Sequence, residues 1–250
     1  MMGSLRAELI KLRRSSSWVV VAGLPMMAVA TGAANTVFSR GGLEDGWHTL
    51  WLRTVVFHGL FPLAVGVAVL SSLVWRVEHR GGNWNALMGR EVSSRDVVTS
   101  KVTVIVALTA AMQVVLLLGV IVVGKVMFGL PGMMPSRYVL AGGIIVVASI
   151  PVAALQSGLS MSVTSFAAPV AVALVGAGAG VVLLLARIDL AVPLVPYAVL
   201  GRASRLGTGT FDDGGTITAG AVIMIVVGAV VVGAAIIIAS AAAVDRRDIR

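Results

Sequence analysis

Few residues in this chain have types and spacings that support chemistry, and most of those fail on context. Gly119-Val-Ile-Val-Val-Gly124-Lys125-Val126 has the glycine and lysine spacing of a phosphate-binding loop. Val126 stands where a Ser or Thr hydroxyl should reach magnesium, and the motif ends an apolar span instead of joining a strand to a helix. Gly176-Ala-Gly-Ala-Gly180 lacks the preceding strand and the final spacing of a dinucleotide fingerprint. Its glycines at i and i+4 instead allow membrane helices to approach closely. His48, His58 and His79 lie too far apart in sequence to share a metal, and there is no cysteine for a thiol, a disulfide or a Cys-based metal site. The mid-span polar candidates are Gln113 and Gln156, with Asn35, Arg53 and His58 nearer the span ends. Buried amides of this kind serve as hydrogen bonds between helices. Neither a nucleophile with its base nor a metal cluster can be assembled from these types, so the chain reads as no enzyme. The third to sixth spans also contain no acidic residue, which disfavours an ion-driven carrier.

The elements that must position these residues follow from solvent. Of 250 residues, 58% are hydrophobic and 12% are charged, and a soluble domain needs roughly twice that charge to cover its surface. A membrane crossing needs about 20 mostly apolar residues, and the pattern predicts an all-α polytopic membrane protein with six transmembrane helices near 18–38, 51–75, 102–124, 138–162, 168–186 and 218–243. The net charge of +8 is read as positive-inside bias and not as a nucleic-acid surface. With the N-terminus inside, twelve of the 19 basic residues fall in cytoplasmic segments: Arg6, Lys11, Arg13, Arg14, Arg76, Arg80, Arg90, Arg95, Lys101, Arg246, Arg247 and Arg250. Both termini are then cytoplasmic. The turn from Ser160 to Pro169 carries no charge, so length alone separates the fourth span from the fifth, and five spans is the alternative count.

Three flanking segments have their own patterns. Ala28-Val29-Ala30 resembles a signal cleavage site, but the apolar run continues past it to about Phe38. Leu5, Leu9 and Leu12 share one helical face, predicting an amphipathic interfacial helix over 4–16; a simple basic flank is the alternative. Leu190 to Leu200 is apolar, too short to cross and interrupted by Pro193 and Pro196, so the outer segment 187–217 is expected to hold a re-entrant or interfacial piece before the last helix. Gly201 to Gly215 is expected to be an exposed loop.

The cytoplasmic loop 76–101 is the most organised of the connections. Glu78 and Arg80 follow the second span, Trp84, Leu87 and Met88 fall at i, i+3 and i+4, and Ser93 or Ser94 is placed to cap a helix that runs through Asp96 into the third span, with Lys101 near the membrane boundary. A small helix exposing Trp, Leu and Met needs a partner or the inner leaflet to cover it. Glu8-Leu-Ile-Lys-Leu-Arg-Arg14, Glu78-x-x-x-Gly82-x-Trp84-x-x-Leu87, Ser94-Arg95 and Lys101 together resemble the permeases of ABC-2-type exporters, and among them the small lantibiotic or bacteriocin immunity permeases. The six-span layout extends that resemblance over 1–250 as a single permease domain.

The resemblance implies a coupling helix in the loop, seated in a cleft of a separate ABC ATPase that carries ATP and magnesium. This chain would bind no cofactor. It implies two permeases paired around a path in a bacterial cytoplasmic membrane, and short re-entrant helices before the last span. Glu78, Arg80, Trp84, Leu87, Met88 and Arg95 are the expected coupling residues, and Phe57, His58, Phe61 and Gln113 the expected path residues. The expected activity is export of a hydrophobic or amphipathic substrate, with an antimicrobial peptide as the closest implication. Export of a drug, lipid or haem would leave an equally apolar sequence. A passive channel, a secondary carrier and a membrane scaffold or sensor are the readings from other classes.

Overall fold

The computed structural model describes residues 2–12, 15–39, 43–79, 93–210 and 214–246, and all regular structure in them is helical. In chain order the helices are α1 (Met2–Leu12), α2 (Ser17–Phe38), α3 (Trp47–Leu60), α4 (Pro62–His79), α5 (Ser94–Val126), α6 (Ser136–Ala148), α7 (Ile150–Ser162), α8 (Ala167–Leu185), a 3-10 turn at Val192–Leu194, α9 (Pro196–Arg205) and α10 (Ala219–Asp245). Five elements are long and apolar enough to cross a membrane singly: α2, α5, the joined α6–α7, α8 and α10. The pair α3–α4, bent by 49°, brings the number of candidate crossings to six when it is taken as one span.

That bend corrects the expectation of one straight helix over 51–75. The element starts at Trp47 and breaks at Phe61. Pro62 has no amide proton to give the His58 carbonyl, and its ring crowds that carbonyl. Pro25, by contrast, stays inside an unbroken α2. At α5 the expected cap is present: Ser93 Oγ accepts from the Asp96 amide at 3.1 Å, and Asp96 complements the positive end of the helix. The 33 residues of α5 rise about 50 Å, well beyond a hydrocarbon core of about 30 Å. The helix is thus longer than a crossing requires, and it packs against α1.

Helices α4, α5 and α7 form the centre. Contact between α4 and α7 is made by small hydroxyls: Trp75 Nε1–H donates to Ser157 Oγ at 2.9 Å, His79 Nε2–H to the Ser160 carbonyl at 2.7 Å, and Ser72 and Ser160 share a hydroxyl contact at 3.4 Å. Helices α8 and α10 lie outside and expose large apolar side chains such as Val175, Val182, Ile223 and Val231. The uncharged turn after Ser160 now has a side. Thr164, Ser165 and Phe166 line a cavity with Ser16, Arg76 and His79, and Ser240 near the end of α10 packs on Gly158. The start of α2, the ends of α4 and α10, and the α7–α8 turn thus share one end of the bundle.

At the other end the outer segment differs from the expected exposed loop. Helix α9 continues to Arg205, and Ala203 to Gly207 and Thr208 are buried. The buried face of Tyr197, Leu200 and Ala203 extends the apolar pattern beyond Leu200, against α3, α6 and α8. The α8 glycines receive it: a Cβ at Gly176 would overlap the Tyr197 ring, and one at Gly180 would meet the Tyr197 carbonyl carbon at 2.9 Å. The i, i+4 glycine pair is therefore a notch for a neighbouring helix.

A bulky residue in that notch should displace α9. Gly180→Leu is expected to destabilise the chain by roughly 1–3 kcal/mol, lowering the thermal midpoint in detergent. Gly143→Ala, where an added Cβ meets nothing within 4 Å, should leave the midpoint unchanged or raise it.

Candidate functional site

The loop 76–101 narrows in the structure to the segment between His79 and Ser93, because α4 and α5 extend into it from both sides. Arg80, Trp84, Leu87 and Met88 fall outside the described residues. The base of the loop is described in full, and four charged side chains gather there.

Lys101 lies on the inward face of α5, in register with Val97, Val98, Val104, Ile105 and Leu108, and is 0% exposed. An ammonium has three protons to place. Its Nζ lies 2.8 Å from Glu78 Oε1, 3.1 Å from Glu8 Oε2 and 3.3 Å from the Val74 carbonyl oxygen, so all three are placed. The Trp75 ring centroid lies 4.6 Å away and adds a cation–π contact. Glu78, itself 3% exposed, also accepts from Lys11 Nζ at 2.7 Å, while Lys11 reaches Glu8 Oε1 at 2.8 Å one turn earlier on α1. Two acids and two lysines thus sum to zero, with Lys101, Glu78 and Glu8 buried and Lys11 at the exposed edge. Burial works against the charged amine of Lys11, but hydrogen bonds to Glu78 and Glu8 and their negative charge prevail, holding it above the ordinary lysine pKa.

The arrangement joins three segments and performs no bond chemistry. One lysine ties the end of α4, the start of α5 and the whole of α1. Helix α1 docks by this cluster and by buried Leu12, with Leu5 packed beside it, while Leu9 and Ile10 remain exposed. Trp18 Nε1–H closes the corner into α2 by donating to the Leu12 carbonyl at 3.1 Å. The docked face centres on Glu8, so the leucine stripe is shared between protein and surroundings.

The remaining expected residues are dispersed. Glu78 is turned into the cluster, whereas Arg95 is exposed on the first turn of α5. His58 and Gln113 are buried and face one another, their Nε2 atoms 3.4 Å apart. Phe57 is half-buried and Phe61 is 40% exposed at the bend. Gln156 donates to the Tyr197 hydroxyl, an interhelical bond as its type suggested. Lys125 of the failed phosphate loop donates to the Leu130 carbonyl at 3.0 Å and lies by the Trp47 ring, within a continuous helix. Among the described residues no three metal-ligating side chains gather.

Sequence reasoning passed over Lys11 and Lys101 as site residues. The available signal was periodicity: Lys101 occupies a position that its own helix reserves for buried aliphatics, and such a lysine requires an acid brought from elsewhere.

Removing one member of a buried ion cluster strands the rest, at a cost of about 3–5 kcal/mol. The chain has no cysteine, so a single Leu12→Cys probe reports on α1 alone. It should resist a maleimide in the parent chain and react readily once Lys101→Met is added. Adding Glu78→Gln to Lys101→Met should restore part of the protection.

In comparisons with known proteins, the sequence profile described as ABC-2 family transporter protein matches residues 4–180. The match takes in α1, the ion cluster and every helix through most of α8, and stops before α9 and α10. No curated protein and no solved structure matches the chain. The profile covers well over half of the sequence, and the chain accordingly belongs to the ABC-2 transporter family, as an integral membrane permease component and not a catalytic one.

Proposed function

We propose that this permease is driven by an ABC ATPase on a separate polypeptide and, paired with a second permease, exports a hydrophobic or amphipathic substrate. The observation that carries the reading is the ion cluster at the foot of the 80–92 segment. A force applied to that segment reaches α4 and α5 together, because Lys101 holds both, and reaches α1 through Glu8. The bend at Phe61–Pro62 gives the motion somewhere to end. Helix α4 tilts about the break while α3 stays packed on α2 and α9, which moves Phe61 relative to His58 and Gln113. Trp84, Leu87 and Met88, with Arg80 and Arg95 beside them, supply the surface that enters the ATPase, and Glu78 acts from behind as a positioning residue. ATP and magnesium belong to the partner.

Charge placement supports an orientation with both termini in the cytoplasm of a bacterial cell, and α1 shares one end of the bundle with the end of α10. Among substrates, an antimicrobial peptide exported for self-protection fits the sequence resemblance to immunity permeases. Drug, lipid or haem export uses the same machinery with a different cargo.

The test is a tagged chain purified from membranes together with its ATPase and reconstituted. Substrate flux should require ATP, and Trp84→Ala with Leu87→Ala should release the ATPase and abolish flux while the chain still inserts. Flux that continues without ATP, or survives the double substitution, removes the proposal.

A further inference from the structure

We infer that the cavity between the start of α2, the end of α4 and the α7–α8 turn binds the phosphate of an anionic lipid headgroup. Its volume is about 460 Å³, and its polar lining includes Arg76, His79, Ser16, Ser160, Thr164 and Ser165. Among the described residues no acidic side chain lines it. Arg76 has no ion pair or hydrogen bond among the described residues, although Glu78 lies two positions away, because that carboxylate is held by Lys101 and Lys11. Glu8 lines a smaller neighbouring cavity of about 190 Å³ that shares Arg76 and Ser16, and it is engaged by the same two lysines. His79 is steadied on the Ser160 carbonyl at 2.7 Å.

A phosphodiester needs a cation and several hydroxyl or amide donors, and this lining supplies them. The first turn of α8, which has no side-chain cap, opens at the same place and adds the positive end of its dipole. The rim decides between a lipid and a free phosphate. Val163 and Phe166 are 38% and 44% exposed and, with Leu73, form an apolar border beside the polar floor. Free phosphate has no use for such a border, whereas the start of an acyl chain does. Basic pockets between membrane helices at the cytoplasmic boundary are the expected place for anionic headgroups. The site rests on the orientation proposed above, which puts it on the inner leaflet. Since Arg76 lies on the last turns of α4, an occupied site would bear on the same helix end that the ion cluster holds.

The experiment uses the full chain in nanodiscs of phosphatidylcholine with a minor share of phosphatidylglycerol, followed by native mass spectrometry of the lipid retained on the released protein. The expected result is one phosphatidylglycerol per chain held in preference to phosphatidylcholine. Arg76→Gln should lower that preference about fivefold, while Arg246→Gln, an exposed arginine at the same end of the bundle, should leave it intact. Equal retention of the two lipids, an unchanged preference in Arg76→Gln, or displacement by inorganic phosphate would each overturn the assignment. Retention is read without an ATPase, so it stands or falls separately from the transport reading.

Discussion

A lysine ammonium with no access to water must find a substitute for every hydrogen bond that water would give it, and at Lys101 that requirement organises the end of the molecule where α1, α4 and α5 meet. Two carboxylates and a backbone carbonyl meet it from two helices: Glu8 from α1, Glu78 and Val74 from α4. A buried ammonium that loses one of these acceptors keeps the desolvation cost without its compensation. Helix α1 is therefore a structural member of the bundle, held by charge where its apolar contribution is small.

The cluster also ties together the two helices that flank the 80–92 segment. Glu78 and Lys101 close the loop across its two ends, 23 residues apart, so whatever binds the segment between them acts on both helices at once. At the opposite end of α4 the geometry is reversed, because Pro62 removes a ladder bond and leaves a bend. Helix α4 is thus held by ion pairs at one end and bent at the other.

Most of the crossing elements were legible from apolar length alone, and α2, α8 and α10 fall within a residue or two of the expected ends. Length works because lipid leaves the backbone few alternatives to a helix. The Ser93 cap was legible for a similar reason, as a local hydrogen bond needs only local residues. What was not legible depends on partners distant in sequence. Pro25 and Pro62 are alike as residues, yet one stays within its helix and the other ends one, according to what packs around each. Gly201 to Gly215 has the composition of a loop, but its first part is buried because Tyr197 fits the Gly176 and Gly180 notch and draws α9 inward. Glu8 was noted as part of a motif, and its role appears only when Lys101 is beside it.

The separation between those two residues has a consequence for biosynthesis. Lys101 follows Glu8 by 93 positions, and at about 5–20 residues per second the ribosome takes roughly 5–20 s to make them. For that interval Glu8 lacks Lys101, and Lys11, three positions on, is the pair it already has within its own helix. That local pair lets the nascent helix wait at the membrane surface uncharged on its inward side. The arrival of the third span then converts a temporary two-residue pair into the finished cluster, so the fold closes on its N-terminus late.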